Sequence, residues 1–238
     1  MTEWFEEWFG EEYLQLYPHR DEADARRLVA LLTRVLPWRA GWRVLDVGCG
    51  AGRHAAALAE AGTRPIGLDL SLSLLRRARD VSTAPLVRAD MRWLPIRAAS
   101  MDLTVNLFTS FGYFEADDEH AAVLREMAAT VRHGGWFVID FLNATAVRSG
   151  LVPSEEQVLA GATVRVERRL ADDGRFVLKS IRTTEGRLFQ ERVRLFSPEE
   201  LETLVIGAGI EVTARFGDYA GGPLADAAPR TILIGRRP

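Results

Sequence analysis

Three glycines at alternate positions, Gly48, Gly50 and Gly52, follow a short apolar run in the stretch VLDVGCGAGRH. Val44 and Val47 are β-branched, so this run predicts a buried strand, and the alanine-rich stretch after the glycines predicts a helix. The absence of side chains in the turn lets a ligand come close to the backbone. The free N–H groups of the turn and the N-terminus of the helix then form a polar cradle for that ligand.

Three carboxylates flank this predicted cradle. Asp69 lies nineteen residues after Gly50, at the end of the second predicted strand, where a carboxylate accepts hydrogen bonds from both hydroxyls of a ribose. Asp46 lies two residues before the first glycine, where its charge would repel a pyrophosphate but suits a cationic ligand. Asp90 and Met91 end the third predicted strand and offer a carboxylate for a purine amino group and a thioether beside its ring.

The glycine turn alone leaves a nicotinamide dinucleotide site open as an alternative. Dinucleotide-binding turns carry GxGxxG with an acidic residue about twenty positions further on, whereas this turn reads GxGxG. The loop has no arginine or lysine before Arg53 to meet a phosphate. The turn therefore predicts a ligand with a ribose diol and does not by itself identify it.

Alternating strand and helix patterns must position these residues. The stretches WRVLDVG, TRPIGLDLS, APLVRADM, MDLTVNLFTSFGYF and WFVIDFLN have strand character. SLSLLRRARD predicts a helix with Ser71 as its N-cap, and DDEHAAVLREMAATVRHGG predicts a helix that stops at Gly134 and Gly135. This succession predicts a parallel sheet covered by helices on both faces.

The pattern changes between residues 162 and 196. The runs TVRVERRL, RFVLKSIRTT and LFQERVRLF are separated by the turn signals ADDG and EG, so they predict an inserted antiparallel meander. SPEELETLVIGAG then predicts a helix with Ser197 as N-cap, Pro198 at its first position and Glu200 completing a capping box. The stretches IEVTARFGDY and RTILIGRR predict two final strands.

Composition limits the partners and the location. The 238 residues carry a net charge of −3, which gives no attraction to nucleic acid or anionic lipid. The chain has no long apolar span, and its first residues are acidic and aromatic, so we expect a cytoplasmic protein without membrane contact. Cys49 is the single cysteine and provides neither a disulfide nor a metal-ligand cluster. Arginine carries nearly all of the positive charge, which is typical of GC-rich bacterial genomes.

At this point the sequence resembles the class I S-adenosylmethionine-dependent methyltransferases, in particular those that act on small molecules. VLDVGCGAGRH, GLDLS, RADMRWLP, DLTVNLFTSFGYF and VRHGGWFVIDF look like the successive motifs of that family, and the resemblance covers residues 41 to 143. It implies a Rossmann-like, doubly wound, seven-stranded sheet with an antiparallel last strand. It also implies that S-adenosylmethionine lies along the carboxyl edge of the sheet.

The resemblance also assigns roles to residues of the cofactor site. Asp69 would hold the ribose, Asp90 the adenine amino group, and Met91 would pack on the adenine ring. The glycine turn would contact the methionine part, with Asp46 beside it. The remaining residues that the resemblance implies for this site are Gly48, Cys49, Gly50, Leu70, Asn106 and Leu107. In this interpretation Cys49 is a small loop residue and not a reactive thiol.

The acceptor side is predicted from an N-terminal segment and from residues that follow the fourth strand and close the fifth. Tyr17 and Arg20 belong to an N-terminal segment that, in small-molecule members of the family, folds over the cofactor, and we expect both to contact it. Alternatively, that segment is an amphipathic helix packed against the body by its aromatic residues. Tyr113 would face the transferable methyl group, or else cap the core. Asp140 closes the fifth strand and would orient an acceptor amine or hydroxyl.

The predicted function is transfer of a methyl group from S-adenosylmethionine, by in-line displacement, to nitrogen or oxygen of a small-molecule acceptor, with Tyr113, Tyr17 and Asp140 as the catalytic candidates. A non-catalytic S-adenosylmethionine-binding module and a NAD(P)-dependent oxidoreductase remain the alternatives. The predicted division is a helical cap (1–40), the cofactor-binding core (41–145), a β insertion (146–196) acting as lid or dimer surface, and a C-terminal part (197–238) that completes the core. A monomer and a homodimer both stay open.

Overall fold

The computed structural model of the protein describes residues 3–10, 13, 22–159, 161–183 and 186–238. Within these residues the helices are α1 (Trp4–Trp8), α2 (Glu22–Val35), α3 (Arg53–Glu60), α4 (Leu72–Val81), α5 (Asp117–Thr130), α6 (Ala144–Gly150) and α7 (Pro198–Gly207). The strands are β1 (Arg43–Val47), β2 (Arg64–Asp69), β3 (Leu86–Arg88), β4 (Met101–Asn106), β5 (Val131–Leu142), β6 (Ser154–Leu159), β7 (Ala162–Leu170), β8 (Phe176–Arg182), β9 (Leu188–Arg194), β10 (Glu211–Phe216) and β11 (Arg230–Arg236).

The central sheet has seven strands in the order β10-β11-β5-β4-β1-β2-β3. Strands β1 to β5 pair in parallel, whereas β11 is antiparallel to both β5 and β10. The predicted seven-stranded α/β sheet with an antiparallel last strand is therefore confirmed. Because β1 to β5 are parallel, their carboxyl ends meet at one edge, which is where a sheet of this kind binds its ligands.

Helices cover both faces of the sheet, as predicted. On one face Leu28 and Leu32 of α2 and Leu58 of α3 pack against the sheet, and all three side chains are fully buried. On the other face Leu124 of α5 and Leu201 of α7 are equally buried. The predicted N-caps also form, because the Ser71 hydroxyl accepts from the Leu74 N–H and the Ser197 hydroxyl accepts from the Glu200 N–H. None of the helices in the described residues is long and apolar enough to cross a membrane.

Helix α5 is shorter than predicted. It ends at Thr130, and Val131 already belongs to β5, where it pairs with Met101. Gly134 and Gly135 thus lie inside a strand and do not stop a helix. A Cβ at Gly135 would lie 2.8 Å from Val131 Cγ1 and 3.0 Å from the carbonyl oxygen of Asp102, so this glycine permits the close approach of β5 to β4.

A second sheet contains β6, β7, β8 and β9 in that order, all antiparallel. The sequence predicted three of these strands, and β6 was missed. Its residues, SEEQVL, are mostly polar, and Val158 is 72% exposed, so this edge strand lacks the alternating apolar pattern that marks a half-buried strand. The sheet lies within the predicted insertion, whose domain boundaries and role as a lid stay predictions.

Gly235 provides a test of the β10–β11 packing. A Cβ at this position would lie 2.4 Å from Ile210 Cγ2 and 2.8 Å from the Glu211 carbonyl oxygen. We therefore expect Gly235→Ala to lower the free energy of unfolding by about 1–3 kcal/mol, measured by urea denaturation. Gly150→Ala is the matched control, because a Cβ there meets no atom within 4 Å. Equal stability of the two variants would contradict this packing.

Candidate functional site

The glycine turn lies at the carboxyl end of β1, in contact with the turn that follows β4. A Cβ at Gly48 would lie 2.7 Å from the Cβ of Ser110, and Gly48 has φ +72°, so a side chain is excluded by both space and conformation. At Gly50 (φ +54°) a Cβ would meet no atom within 4 Å. Gly48 is thus required by packing, whereas Gly50 leaves the backbone open to a ligand.

Asp69 fixes this turn from the end of β2. Its Oδ2 accepts from the Gly50 N–H at 2.8 Å, and its Oδ1 accepts from the Ser71 N–H at 2.9 Å. Burial raises the pKa of the Asp69 carboxyl, and the hydrogen bonds from Ser71 and Gly50 oppose that shift. A carboxylate has about four acceptor positions, so Asp69 keeps acceptor capacity for a ligand. Asp69 also lines the larger cavity described below.

Asp46 and Asn106 are buried beside the same turn, at 1% and 0% exposure. Asn106 Nδ2 donates to the carbonyl oxygens of Val47 and Ser110 at 2.9 and 3.2 Å. Asp46 Oδ2 and Asn106 Oδ1, however, accept no hydrogen bond from the described residues. Two unpaired buried acceptors at a glycine turn fit a ligand that carries donors, such as an ammonium group.

The protonation of Asp46 is sensitive to this environment. Burial, followed by the charge of Asp69, raises the pKa of the Asp46 carboxyl to about 7, and Arg53 opposes the shift. Near neutral pH Asp46 is therefore divided between its acid and its carboxylate. A cationic ligand would favour the carboxylate, because an opposite charge stabilises the ionised form.

Asp90 is paired with a residue that sequence reasoning missed. Arg92 Nη2 donates to Asp90 Oδ2 at 2.7 Å, and the Arg92 N–H donates to Asp90 Oδ1 at 2.8 Å. Glu3 and Glu119 lie 3.7 and 3.5 Å from Arg92 Nη1, so the guanidinium is surrounded by carboxylates. Asp90 and Met91 nevertheless line the larger cavity, as their predicted role requires.

Two cavities meet at the glycine turn. The larger one has a volume of about 450 Å³ and is lined by Asp69, Leu70, Asp90, Met91 and Tyr113, with Phe5 and Phe9 of the α1 region. The smaller one, of about 300 Å³, is lined by Cys49, Ala51, Arg53, His54 and Leu107. Both are lined by Tyr13, Gly48, Leu74, Phe108 and Ser110. Of the other predicted contacts, Asp46, Gly50 and Asn106 line neither cavity, and Tyr17 and Arg20 lie outside the described residues.

The thiol of Cys49 is buried at 4% exposure. Burial, together with the charges of Asp46 and Asp69, raises the pKa of this thiol well above its usual range. The thiolate is the reactive form of cysteine, so Cys49 has the properties of the small loop residue that the sequence predicted.

Tyr113 lines the larger cavity and also packs against aromatic side chains. Its ring centroid lies 5.5 Å from those of Trp4 and Phe9, and its hydroxyl donates to the carbonyl oxygen of Thr109 at 2.6 Å. The residue is therefore a wall of the cavity and is also packed by α1. Its part in catalysis stays a prediction.

Asp140 lies behind the cavity wall. Its carboxylate is 0% exposed and accepts from the Phe108 N–H (2.9 Å), the Tyr219 hydroxyl (2.8 Å) and Arg230 Nε (2.7 Å). Asp140 lines neither of the two cavities. That Asp140 orients an acceptor directly stays a prediction, and such contact would require these bonds to open, because the carboxylate holds the turn after β4.

The second sheet is held against α1 and the core by polar contacts. Trp8 Nε1 donates to Glu191 Oε1 at 2.9 Å, and the Trp8 ring lies 4.9 Å from that of Phe189. Arg192 pairs with Glu115, and Arg194 pairs with Asp117 at 3.1 Å. Further pairs join Arg165 to Glu167, Arg168 to Glu155 and Arg175 to Asp117. The charges of these arginines are thus compensated by carboxylates.

Known proteins resemble this chain in sequence and in fold. Residues 44–135 match a family model described as a methyltransferase domain. The cypemycin N-terminal methyltransferase of Streptomyces sp is 29% identical over 203 residues, which cover 82% of each chain. The ubiquinone biosynthesis O-methyltransferase of Bordetella pertussis is 30% identical over 149 residues, 52% of this chain and 62% of that protein. The CcbJ methyltransferase from Streptomyces caelestis has the same fold, with a TM-score of 0.82, 20% identity and coverage of 97% and 98% of the two chains.

Proposed function

Since this chain belongs to the class I S-adenosylmethionine-dependent methyltransferases, whose cofactor is S-adenosylmethionine, we propose that it transfers the methyl group to a small-molecule acceptor. One observation carries the proposal: the glycine turn, Asp69 and the two unpaired acceptors of Asp46 and Asn106 meet at the carboxyl edge beside a cavity of about 450 Å³. This arrangement suits a ligand with a ribose diol and an ammonium group.

The residues at this edge divide the proposed cofactor site into three parts. Asp69 would accept from the ribose hydroxyls. Asp46, Asn106 and the backbone of residues 48–50 would hold the methionine part, since the unpaired acceptors lie there. Asp90, Met91 and Leu70 line the cavity on the side of β2 and β3 and would hold the adenine, and Cys49 and Leu107 line the smaller cavity.

The proposed chemistry asks the chain mainly for positioning. When bound, S-adenosylmethionine supplies a methyl group on a cationic sulfur that is already activated for displacement. The chain then has to align the acceptor with that methyl group and to exclude water. Phe5, Phe9 and Tyr113 provide an aromatic wall for this purpose.

An amine is the acceptor that this site favours. A neutral amine needs no strong base, whereas a hydroxyl benefits from one. Among the described histidines, His120 lines neither cavity, and burial lowers its pKa to about 4. His133 pairs with the Pro238 carbonyl oxygen at the C-terminus, and His54 lines the smaller cavity at 5% exposure. The name of the cypemycin enzyme indicates an amine acceptor and that of the Bordetella enzyme a hydroxyl, so both classes belong in the test.

Methyl transfer to an acceptor is tested first. We expect calorimetry to detect binding of S-adenosylhomocysteine and none of NAD, and we expect label from S-adenosylmethionine to appear on amine-bearing members of a metabolite panel. Binding without any transfer would favour the non-catalytic binding module. Binding of NAD in place of S-adenosylhomocysteine would favour the oxidoreductase.

Asp69 should contribute strongly to cofactor affinity. Asp69→Ala removes charge-assisted hydrogen bonds, so we expect S-adenosylhomocysteine to bind more weakly by roughly 1.5–3 kcal/mol, measured by calorimetry. Asp102→Ala is the matched control, because Asp102 also accepts from a backbone N–H (Arg43, 2.8 Å) and pairs with an arginine (Arg132, 2.7 Å) but lines neither cavity. Affinity that is unchanged in Asp69→Ala, or lowered equally in both variants, would count against the assignment.

Cofactor binding should also depend on the protonation of Asp46. Because the pKa of Asp46 is raised to about 7, its proton is bound below that pH and released above it. A ligand ammonium group favours the carboxylate, so the affinity for S-adenosylhomocysteine should rise about five- to tenfold between pH 6 and pH 7.5. The same linkage makes the ligand-free protein lose stability as the pH rises from about 4 to about 7. In Asp46→Asn the pH dependence of binding should disappear, and a dependence that persists would exclude Asp46 as its source.

Tyr113 is proposed to shape the acceptor site. Tyr113→Ala removes an aromatic wall, so we expect turnover to fall at least about tenfold. We expect S-adenosylhomocysteine affinity to change by less than about threefold, or ~0.7 kcal/mol. Tyr113→Phe should lower turnover less than Tyr113→Ala, because the ring is kept while the hydrogen bond that positions it on the Thr109 carbonyl oxygen is lost. Phe111→Leu is the control, since Phe111 lies in the core at 0% exposure. If Tyr113→Ala lowers only the melting temperature, as Phe111→Leu should, the ring is a core residue.

A further inference from the structure

The turn after β4 has an unusual backbone. Only three non-glycine residues of the described chain have a positive φ, and two of them are consecutive in this turn: Phe108 at +56° and Thr109 at +63°. L-residues rarely adopt this conformation unless the surrounding structure imposes it. Phe108 lines both cavities, so the strained turn forms part of the wall of the proposed site.

Three residues from the C-terminal half of the chain hold this turn. Asp140 of β5 accepts from the Phe108 N–H through Oδ2 at 2.9 Å, and its backbone carbonyl accepts from the Thr109 N–H at 3.0 Å. Arg230 of β11 donates to Thr109 Oγ1 at 3.1 Å through Nη2. Tyr219, in the connection before β11, donates to Asp140 Oδ2 at 2.8 Å. We name Asp140, Tyr219 and Arg230 the clamp.

The clamp is buried and its charges are matched. The Asp140 side chain is 0% exposed and the Arg230 side chain 16%, and their closest atoms lie 2.7 Å apart. Burial, together with the charge of Asp140, raises the pKa of the Tyr219 hydroxyl, so this hydroxyl stays protonated and donates to the carboxylate. The Asp140 carboxylate accepts from the Phe108 N–H, the Tyr219 hydroxyl and Arg230 Nε, so its position is defined. Through the bond from the Phe108 N–H it also fixes the position of the turn.

The Phe108–Thr109 turn positions two aromatic residues of the cavity wall. The Phe108 ring lies close to two guanidinium groups, with Arg53 Cζ at 4.0 Å and Arg230 Cζ at 5.3 Å from its centroid. Tyr113 donates its hydroxyl to the Thr109 carbonyl oxygen at 2.6 Å. The positions of both rings therefore depend on the conformation of Phe108 and Thr109.

We propose that Arg230 and Tyr219 are positioning residues for methyl transfer, which act through Asp140 on the Phe108–Thr109 turn and so place the rings of Phe108 and Tyr113 at the reacting groups. The proposal rests on the proposed function. It assigns to Asp140 an indirect role in place of the direct acceptor contact that the sequence suggested.

Two conservative variants test the clamp from its two ends. Tyr219→Phe removes the donor to Asp140 and keeps the ring, and Thr109→Val removes the acceptor of Arg230 and keeps the shape of the side chain. Thr104→Val is the matched control, because it also removes a buried hydroxyl contact, to Thr130 at 2.7 Å, from the interior of β4. Replacement of Arg230 itself would leave Asp140 unpaired in the core, and the two milder variants avoid that problem.

Amide hydrogen exchange in the ligand-free protein provides the first measurement. Because the clamp binds the N–H groups of Phe108 and Thr109, we expect both variants to exchange at least about threefold faster than wild type in residues 107–114. Thr104→Val should leave this segment unchanged. Exchange in 107–114 that is unaffected by Tyr219→Phe and by Thr109→Val would overturn the proposal.

Kinetics provide the second measurement, with the acceptor that the metabolite panel identifies. We expect kcat to fall at least about fivefold in both variants, since small displacements of positioning groups slow the chemical step. The Kd for S-adenosylhomocysteine should stay within about threefold of wild type. If kcat falls no more than in Thr104→Val at a similar loss of melting temperature, the clamp is merely structural and the proposal is overturned. If wild type neither binds S-adenosylhomocysteine nor transfers methyl groups, the proposed function fails, and hydrogen exchange still decides whether the clamp holds the turn.

Discussion

The arrangement of the site depends on the close contact between the turn after β1 and the turn after β4. These strands are neighbours in the sheet, with Val44 opposite Leu103, so the turns at their carboxyl ends must share the same space. The contact admits no side chain at Gly48 and is closed by hydrogen bonds from Ser110 Oγ to the Gly48 carbonyl oxygen and from Asn106 Nδ2 to that of Val47. The glycine turn and the aromatic turn are thereby fixed relative to each other.

Three carboxylates lie near this contact, and each is compensated differently. Asp69 is held by two backbone N–H groups, and Asp90 by the guanidinium of Arg92. Asp46 retains an unpaired Oδ2, and burial, followed by the charge of Asp69, raises its pKa to about 7. Burial of a carboxylate without a partner costs free energy, and a cationic ligand recovers that cost by supplying the missing charge. This edge of the sheet therefore suits a cationic ligand, whereas a dinucleotide site would have to accommodate phosphate groups.

Short-range patterns were sufficient to predict much of this molecule, and long-range contacts were not. The βα alternation, the caps at Ser71 and Ser197 and the open backbone at Gly50 follow from local chemistry, and the structure confirms them. Arg230 contacts a turn 121 residues away in the sequence, so no local pattern could have assigned it to the clamp. Likewise, the helix stop predicted at Gly134 and Gly135 was wrong because both lie inside β5, where Gly135 permits the contact with β4. Tyr17 and Arg20 stay predictions.

The aromatic cover of the larger cavity depends on contacts with the rest of the chain. Helix α1 has five residues, far fewer than a helix needs for stability in isolation. Hydrogen bonds hold it in place. The Trp8 indole donates to Glu191 of the second sheet, and the Trp4 indole donates to the Tyr113 carbonyl oxygen. The Ser71 hydroxyl donates to the carbonyl oxygen of Phe9, the residue after the helix. Ser71 also caps α4 and binds Asp69, so one residue links the cover to the carboxylate of the site. Contacts with α4 and with the second sheet thus hold α1, and with it Phe5 and Phe9, at the wall of the larger cavity.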